Sequence, residues 1–142
     1  MADTLYTAAI LRLKLAGEAP QRLAAPQGSA SRVSPVCGSK MVADVTLDGQ
    51  GRVAAFGFDA SRACTLGQAS AAVLAAAAAG ADRAQLAGMR ASLADFLAQR
   101  RDDAPEGWQM FAPARPHRAR HPSILLPLDA VLAAVDAAGT AA

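Results

Sequence analysis

The stretch from Met41 to Asp59 limits the fold of this chain more than any other. Met41, Ala43, Val45 and Leu47 alternate with Asp44 and Thr46, so one face is apolar and the other polar. Asp48-Gly49-Gln50-Gly51 follows and is a strong turn signal. Arg52–Asp59 then reads as the returning strand, which makes a β-hairpin. A lone hairpin is marginal in water, so it needs a further strand or a helical layer to cover its apolar face. Ala30–Ser34 is a weaker candidate for a third strand.

The rest of the chain supplies helices. Asp3 or Thr4 can cap a first helix reaching about Leu15, with Tyr6, Ile10 and Leu13 on one stripe. Gly17 and Pro20 end it, and Pro20–Ser29 reads as a loop. Thr65–Ala79 is almost all strong helix formers and stops at Gly80. Asp82–Arg101 carries Leu86, Met89, Leu93, Phe96 and Leu97 at helical spacing, with Gly88 as a candidate bend. After the polar break Asp102–Gly107 and the apolar anchor Trp108–Phe111, Leu126–Ala137 is a last helix, with Pro127 in its first turn and Leu128, Leu132 and Val135 inward. This order predicts an α+β fold: a small antiparallel sheet of about three strands, covered on one face by several helices.

The length of 142 residues suits one domain spanning 1–142. A chain of this size buries roughly two-thirds of its unfolded surface, so it needs no metal or disulfide to hold a core. Hydrophobic residues make up 53% of it but aromatics only 4%, so small aliphatic side chains fill that core around Phe56, Phe58, Phe96 and Phe111. A net charge of +2 with interspersed signs argues against nucleic acid. Met1–Tyr6 does not open a signal peptide. The alanine run Ala75–Ala79 falls far short of the ~20 residues that span a bilayer, and no other stretch reads as a span. The expected location is cytoplasmic, where two cysteines are thiols rather than a disulfide.

The two cysteines are where chemistry is expected. Cys37 lies between Pro35 and Gly38, in a candidate exposed turn before the hairpin. Cys64 follows the hairpin and opens a helix, a place that favours negative charge, with Arg62 beside it. A hairpin brings its ends together, so both thiols can reach one tip of the sheet. Spacing alone leaves open that they are two unrelated buried cysteines: 26 intervening residues are a weak metal signal beside paired Cys-x-x-Cys motifs. No nucleophile elbow or phosphate-binding loop is present, and Asp102-Asp103 reads as a solvated helix end. Arg115-Pro116-His117-Arg118-Ala119-Arg120 is a basic loop: a solvated surface, or a docking patch for an acidic partner through Arg115, Arg118 and Arg120.

Cys37-Gly38, a strand–turn–strand, then Cys64-Thr65-Leu66-Gly67-Gln68-Ala69-Ser70 resembles the U-type iron–sulfur cluster assembly scaffolds, the NifU N-terminal, IscU-like and SufU-like proteins. The leading helix with Tyr6 and the stretch Arg120–Pro127 extend the resemblance from about residue 5 to about residue 137. It implies a SufE/NifU-like fold and a non-enzymatic scaffold or carrier of iron or an iron–sulfur cluster. Its implied partners are a cysteine desulfurase and iron–sulfur acceptor proteins. Its metal ligands would be Cys37 and Cys64. The family's aspartate two residues after the first cysteine is Ser39 here. Its third cysteine falls on Ser123 in one alignment and on Pro122 in another, which puts His121 on the family histidine. Ser39, Ser123 and His121 are weaker candidate ligands, and His117 is weaker still. Two alternatives remain: a zinc-dependent sulfur acceptor for the desulfurase, and a non-catalytic interaction protein of the assembly machinery.

Overall fold

The computed structural model describes residues 5–36 and 38–140. The hairpin forms where the alternation places it. Strand β2 (Lys40–Leu47) pairs antiparallel with β3 (Val53–Asp59), with Ala43 opposite Phe58 and Val45 opposite Phe56. In the turn, Asp48 Oδ1 accepts the N–H groups of Gln50 (2.8 Å) and Arg52 (3.0 Å), and Gly51 takes a positive φ of 78°. Strand β1 (Gly28–Val33) pairs with the other side of β2, giving the order β1-β2-β3. The third strand thus exists but starts at Gly28 rather than Ala30.

Helix α4 (His121–Thr140) lies against β1 and β2, over the fully buried Met41, Ala43 and Val45. Helices α2 (Thr65–Ala77) and α3 (Arg83–Leu97) pack on α4, and α1 (Ala8–Gly17) packs on α2. The molecule is therefore an α+β fold with its helices on one face of a three-stranded antiparallel sheet.

A strap covers part of the other face. Gln21 exchanges two backbone hydrogen bonds with Phe58 on the free edge of β3 (2.7 and 2.9 Å), and the chain then crosses to β1. Gly57 permits this, since a Cβ there would stand 2.7 Å from the Gln21 carbonyl oxygen and the Leu23 nitrogen. Beside it, the fully buried Asp44 accepts hydrogen bonds from Arg22 (2.6 and 3.0 Å), from Leu23 N–H (3.1 Å) and from the Ser29 hydroxyl. Burial alone would raise the Asp44 pKa, but these bonds outweigh it and hold the carboxyl below its usual range.

Several helix ends differ from the expected ones. Thr7 caps α1, its Oγ1 accepting Ile10 N–H at 3.2 Å; the expected caps Asp3 and Thr4 lie outside the described residues. Of the expected stripe only Ile10 is buried, while Tyr6 is 42% exposed. Gly88 lies inside an unbroken α3. Helix α4 begins at His121 rather than Leu126, so Pro127 sits within it and not in its first turn. Burial of Ser123, Ile124 and Leu126 against the other helices outweighs the breaker signals of Pro122 and Pro127.

Contrary to the sequence expectation, one stretch, Arg118–Gly139, is long and apolar enough to cross a membrane, with a mean hydropathy of 1.4. More than half of it is buried inside the fold, and α4 is accordingly a core helix here.

Helix α3 ends at Leu97 rather than Arg101 because the chain reverses there. Gln99 N–H bonds to Phe96 O (3.1 Å) and Arg100 N–H to Asp95 O (2.8 Å), with Gln99 at a positive φ of 64°. This is a Schellman cap with glutamine where glycine is the unstrained residue. Gln99→Gly should raise stability by about 0.5–1 kcal/mol, read as a higher denaturation midpoint; an unchanged or lower midpoint would contradict the strain.

Candidate functional site

The site is built where the hairpin's two ends meet. Ahead of β2, the turn from Ser34 to Ser39 closes through Ser34 N–H to Ser39 O (2.7 Å) and Gly38 N–H to Ser34 O (2.8 Å). After β3, Lys40 N–H bonds to Arg62 O (3.3 Å), and Cys64 N–H donates to Ser39 Oγ (3.1 Å). The two chain ends are therefore tied together, as hairpin geometry requires. Cys37 lies outside the described residues.

Cys64 is the N-cap of α2, in extended conformation (φ −72°, ψ 172°), and partly exposed. Its side chain makes no cap hydrogen bond, so the thiol is not consumed by the helix it opens. Arg62, two residues earlier, is exposed. Gly67, in the first turn of α2, lets α4 approach: a Cβ there would stand 3.3 Å from Ser123 O.

The weaker candidates separate in space. Ser39 is buried, and its hydroxyl holds the Cys64 backbone. Ser123 is buried, and its backbone carbonyl lies beside Gly67 in the first turn of α2. His121 sits with Pro122 along a different cleft, and its Nε2 lies 2.9 Å from Ala114 O. Since a carbonyl only accepts, that nitrogen carries the proton. His117 Nε2 is buried without a hydrogen-bond partner among the described residues. Among the described residues no group of three or more His, Cys, Asp or Glu side chains converges as a metal site would.

The basic loop divides as well. Arg115 is not a free docking residue: its Nε donates to Phe96 O (2.8 Å), its Nη2 to Arg101 O (2.7 Å), and its guanidinium stacks 4.5 Å from the Phe96 ring centroid. Arg118 and Arg120 are exposed.

Two serines matter in ways the sequence did not signal. Ser34 is buried with its Oγ unpaired among the described residues, beside the turn that leads to Cys37. Ser70, part of the Ala-Ser pair of the family-like motif, is a buried relay: Trp108 Nε1–H donates to its Oγ (2.9 Å), and its hydroxyl donates to Ile124 O (2.6 Å).

Ser39→Ala should remove the acceptor for the Cys64 N–H and cost about 1–2 kcal/mol, while Ser39→Asp, which restores an acceptor, should recover part of that loss. Thermal melting checks it, and an unaltered Tm in the alanine variant would count against this bond as the tie between the two ends.

No protein-family model and no curated protein matches this sequence. Solved structures do. The crystal structure of a nitrogen-fixing NifU-like protein (N-terminal) from Brucella abortus is 32% identical, matches over 97% of this chain and 96% of its own, and superposes with a TM-score of 0.86. A putative iron–sulfur cluster assembly scaffold protein for the SUF system from Fervidobacterium islandicum AW-1 is 16% identical over 95% of this chain and 99% of its own, with a TM-score of 0.76, and supports the fold alone.

Proposed function

This chain belongs to the U-type scaffold family of NifU-like domains, and from that premise we propose that it assembles or carries iron–sulfur clusters, with iron or cluster as transient cargo on Cys64 and Cys37. The observation that carries this reading is the likeness to a NifU-like domain along nearly the whole chain, joined to a partly exposed Cys64 at the start of α2. A cysteine binds soft metals as thiolate, and the first turn of a helix favours that negative charge. Cargo that must leave again is served by few ligands, so two cysteines with a third donor supplied by a partner suffice for a carrier. Sulfur would come from a cysteine desulfurase, and the cluster would pass to acceptor proteins.

The exposed Arg118 and Arg120 are the cations of the basic loop available to an acidic face of the desulfurase. Reversing both to glutamate should weaken desulfurase binding at least about tenfold and flatten its salt dependence. Binding unchanged by the reversal would remove this loop from the docking surface.

One observation favours a second reading. Ser39, at the place of the family's aspartate, is buried and its hydroxyl holds the Cys64 backbone N–H. A relative that binds the assembly machinery without holding cluster has these properties. The two readings separate in an anaerobic mixture of this chain, cysteine, ferrous iron, a cysteine desulfurase and dithiothreitol, the dithiol that reduces persulfide sulfur to sulfide. A scaffold develops visible charge-transfer absorption and passes it to an apo acceptor, whereas an interaction protein binds the desulfurase and stays colourless.

A further inference from the structure

A concave site that Cys64 does not line sits between the end of α3 and the start of α4. Its volume is about 720 Å³, within the range of small-molecule pockets. Leu97 and Leu125 give it an apolar part, while Arg100, Arg115, Arg118 and His121 line it, and no acidic residue does.

The charge in this cleft is only partly balanced. Arg100 pairs with Asp95, as Arg83, Arg90 and Arg101 elsewhere pair with Asp136, Asp129 and Asp103. Arg118 has no carboxylate partner among the described residues. Arg115 is held rigid by two backbone carbonyls and the Phe96 ring, so it contributes a fixed positive charge whose partners are neutral. His121 donates through Nε2 to Ala114 O, which leaves Nδ1 as the remaining polar atom of the ring.

We propose that this cleft binds a small organic molecule bearing an oxyanion, a phosphate or a carboxylate. The oxyanion lies against Arg118, beside the fixed charge of Arg115, and the organic part lies on Leu97 and Leu125. A planar guanidinium matches two oxygens of either group, and an immobile cation beside it adds attraction without ordering cost. Cys64 does not line the cleft, whereas His121 and Pro122 do. Binding there therefore stands or falls independently of cluster binding.

The test is a titration of the full chain with inorganic phosphate, adenosine monophosphate, citrate and a hexaglutamate peptide at constant ionic strength, followed by amide NMR shifts. The expected result is saturable binding of at least one of the first three probes, with shifts centred on Arg100, Arg118 and Leu125. Arg118→Ala should weaken that binding about tenfold, with a melting curve that shows the variant folded. Tighter adenosine monophosphate marks a phosphate ligand, and tighter citrate marks a carboxylate. The proposal is overturned if no probe saturates, if a folded Arg118→Ala binds as well as the parent, or if only a hexaglutamate peptide binds.

Discussion

Gly28→Ala should destabilise this protein by about 3 kcal/mol or more, one of the largest effects expected of any single methyl group here. Gly28 opens β1 where α4 lies directly on it. A Cβ at that position would stand 2.2 Å from Ala134 O and 2.5 Å from Ala138 N. Those are backbone atoms of a long buried helix, so no side-chain rotation relieves the overlap. Either β1 leaves β2 or α4 lifts from the sheet, and the buried Met41, Ala43 and Val45 beneath it become accessible. In thermal melting the loss corresponds to a Tm lower by about 6–12 °C. Gly17→Ala should behave in the same way, because its Cβ would stand 2.1 Å from Gln68 O and would push α1 off the helix that carries Cys64. A Tm within a degree or so of the parent in both variants would show that these helix contacts are looser than described.

Trp108→Ala should cost about 4 kcal/mol. Trp108 is fully buried, and its indole N–H is one end of the relay through Ser70 to Ile124 O. Truncation removes the largest buried side chain and leaves a cavity. It also strips the Ser70 hydroxyl of its donor. Trp108→Phe keeps most of the volume and loses only that hydrogen bond, so it should cost about 1–2 kcal/mol. The order alanine worse than phenylalanine follows from packing. Equal losses in the two variants would mean that the relay, and not the packing, sets the stability of this corner.

The hairpin was legible because its signals are local. Alternating burial and a turn rich in glycine and aspartate act within a few residues. The glycines that matter most were legible only as breakers. Gly17 and Gly28 look like helix stop and loop composition in sequence, yet each is a point where a distant backbone comes close, and nothing local announces the partner. The strap over Asp44 was hidden for the same reason: Arg22 and Leu23 lie in a stretch that reads as loop, and Asp44 on a face that reads as solvated.

At the site, the place of Cys64 at a helix start could be read from its neighbours, and α2 begins there. The role of Ser39 could not. In sequence it is a lost carboxylate; in the fold its hydroxyl holds the Cys64 N–H. Arg115 looked like a surface cation because Phe96 and Arg101, whose carbonyls it binds, are remote in sequence. The choice between Pro122 and Ser123 turned on which stretch was aligned; in the fold Pro122 lines a cleft and the Ser123 carbonyl lies beside Gly67 of α2.

The central claim is that this chain holds iron–sulfur cargo through its two cysteines. Anaerobic reconstitution with iron, sulfide and thiol tests it most directly, with iron and acid-labile sulfide counted per chain for the parent, Cys37→Ala and Cys64→Ala. The account predicts visible charge-transfer absorption and bound sulfide in the parent, and loss of both in each variant while its melting curve stays intact. A parent that takes up neither iron nor sulfide, or a Cys64→Ala variant that takes up as much as the parent, would contradict it.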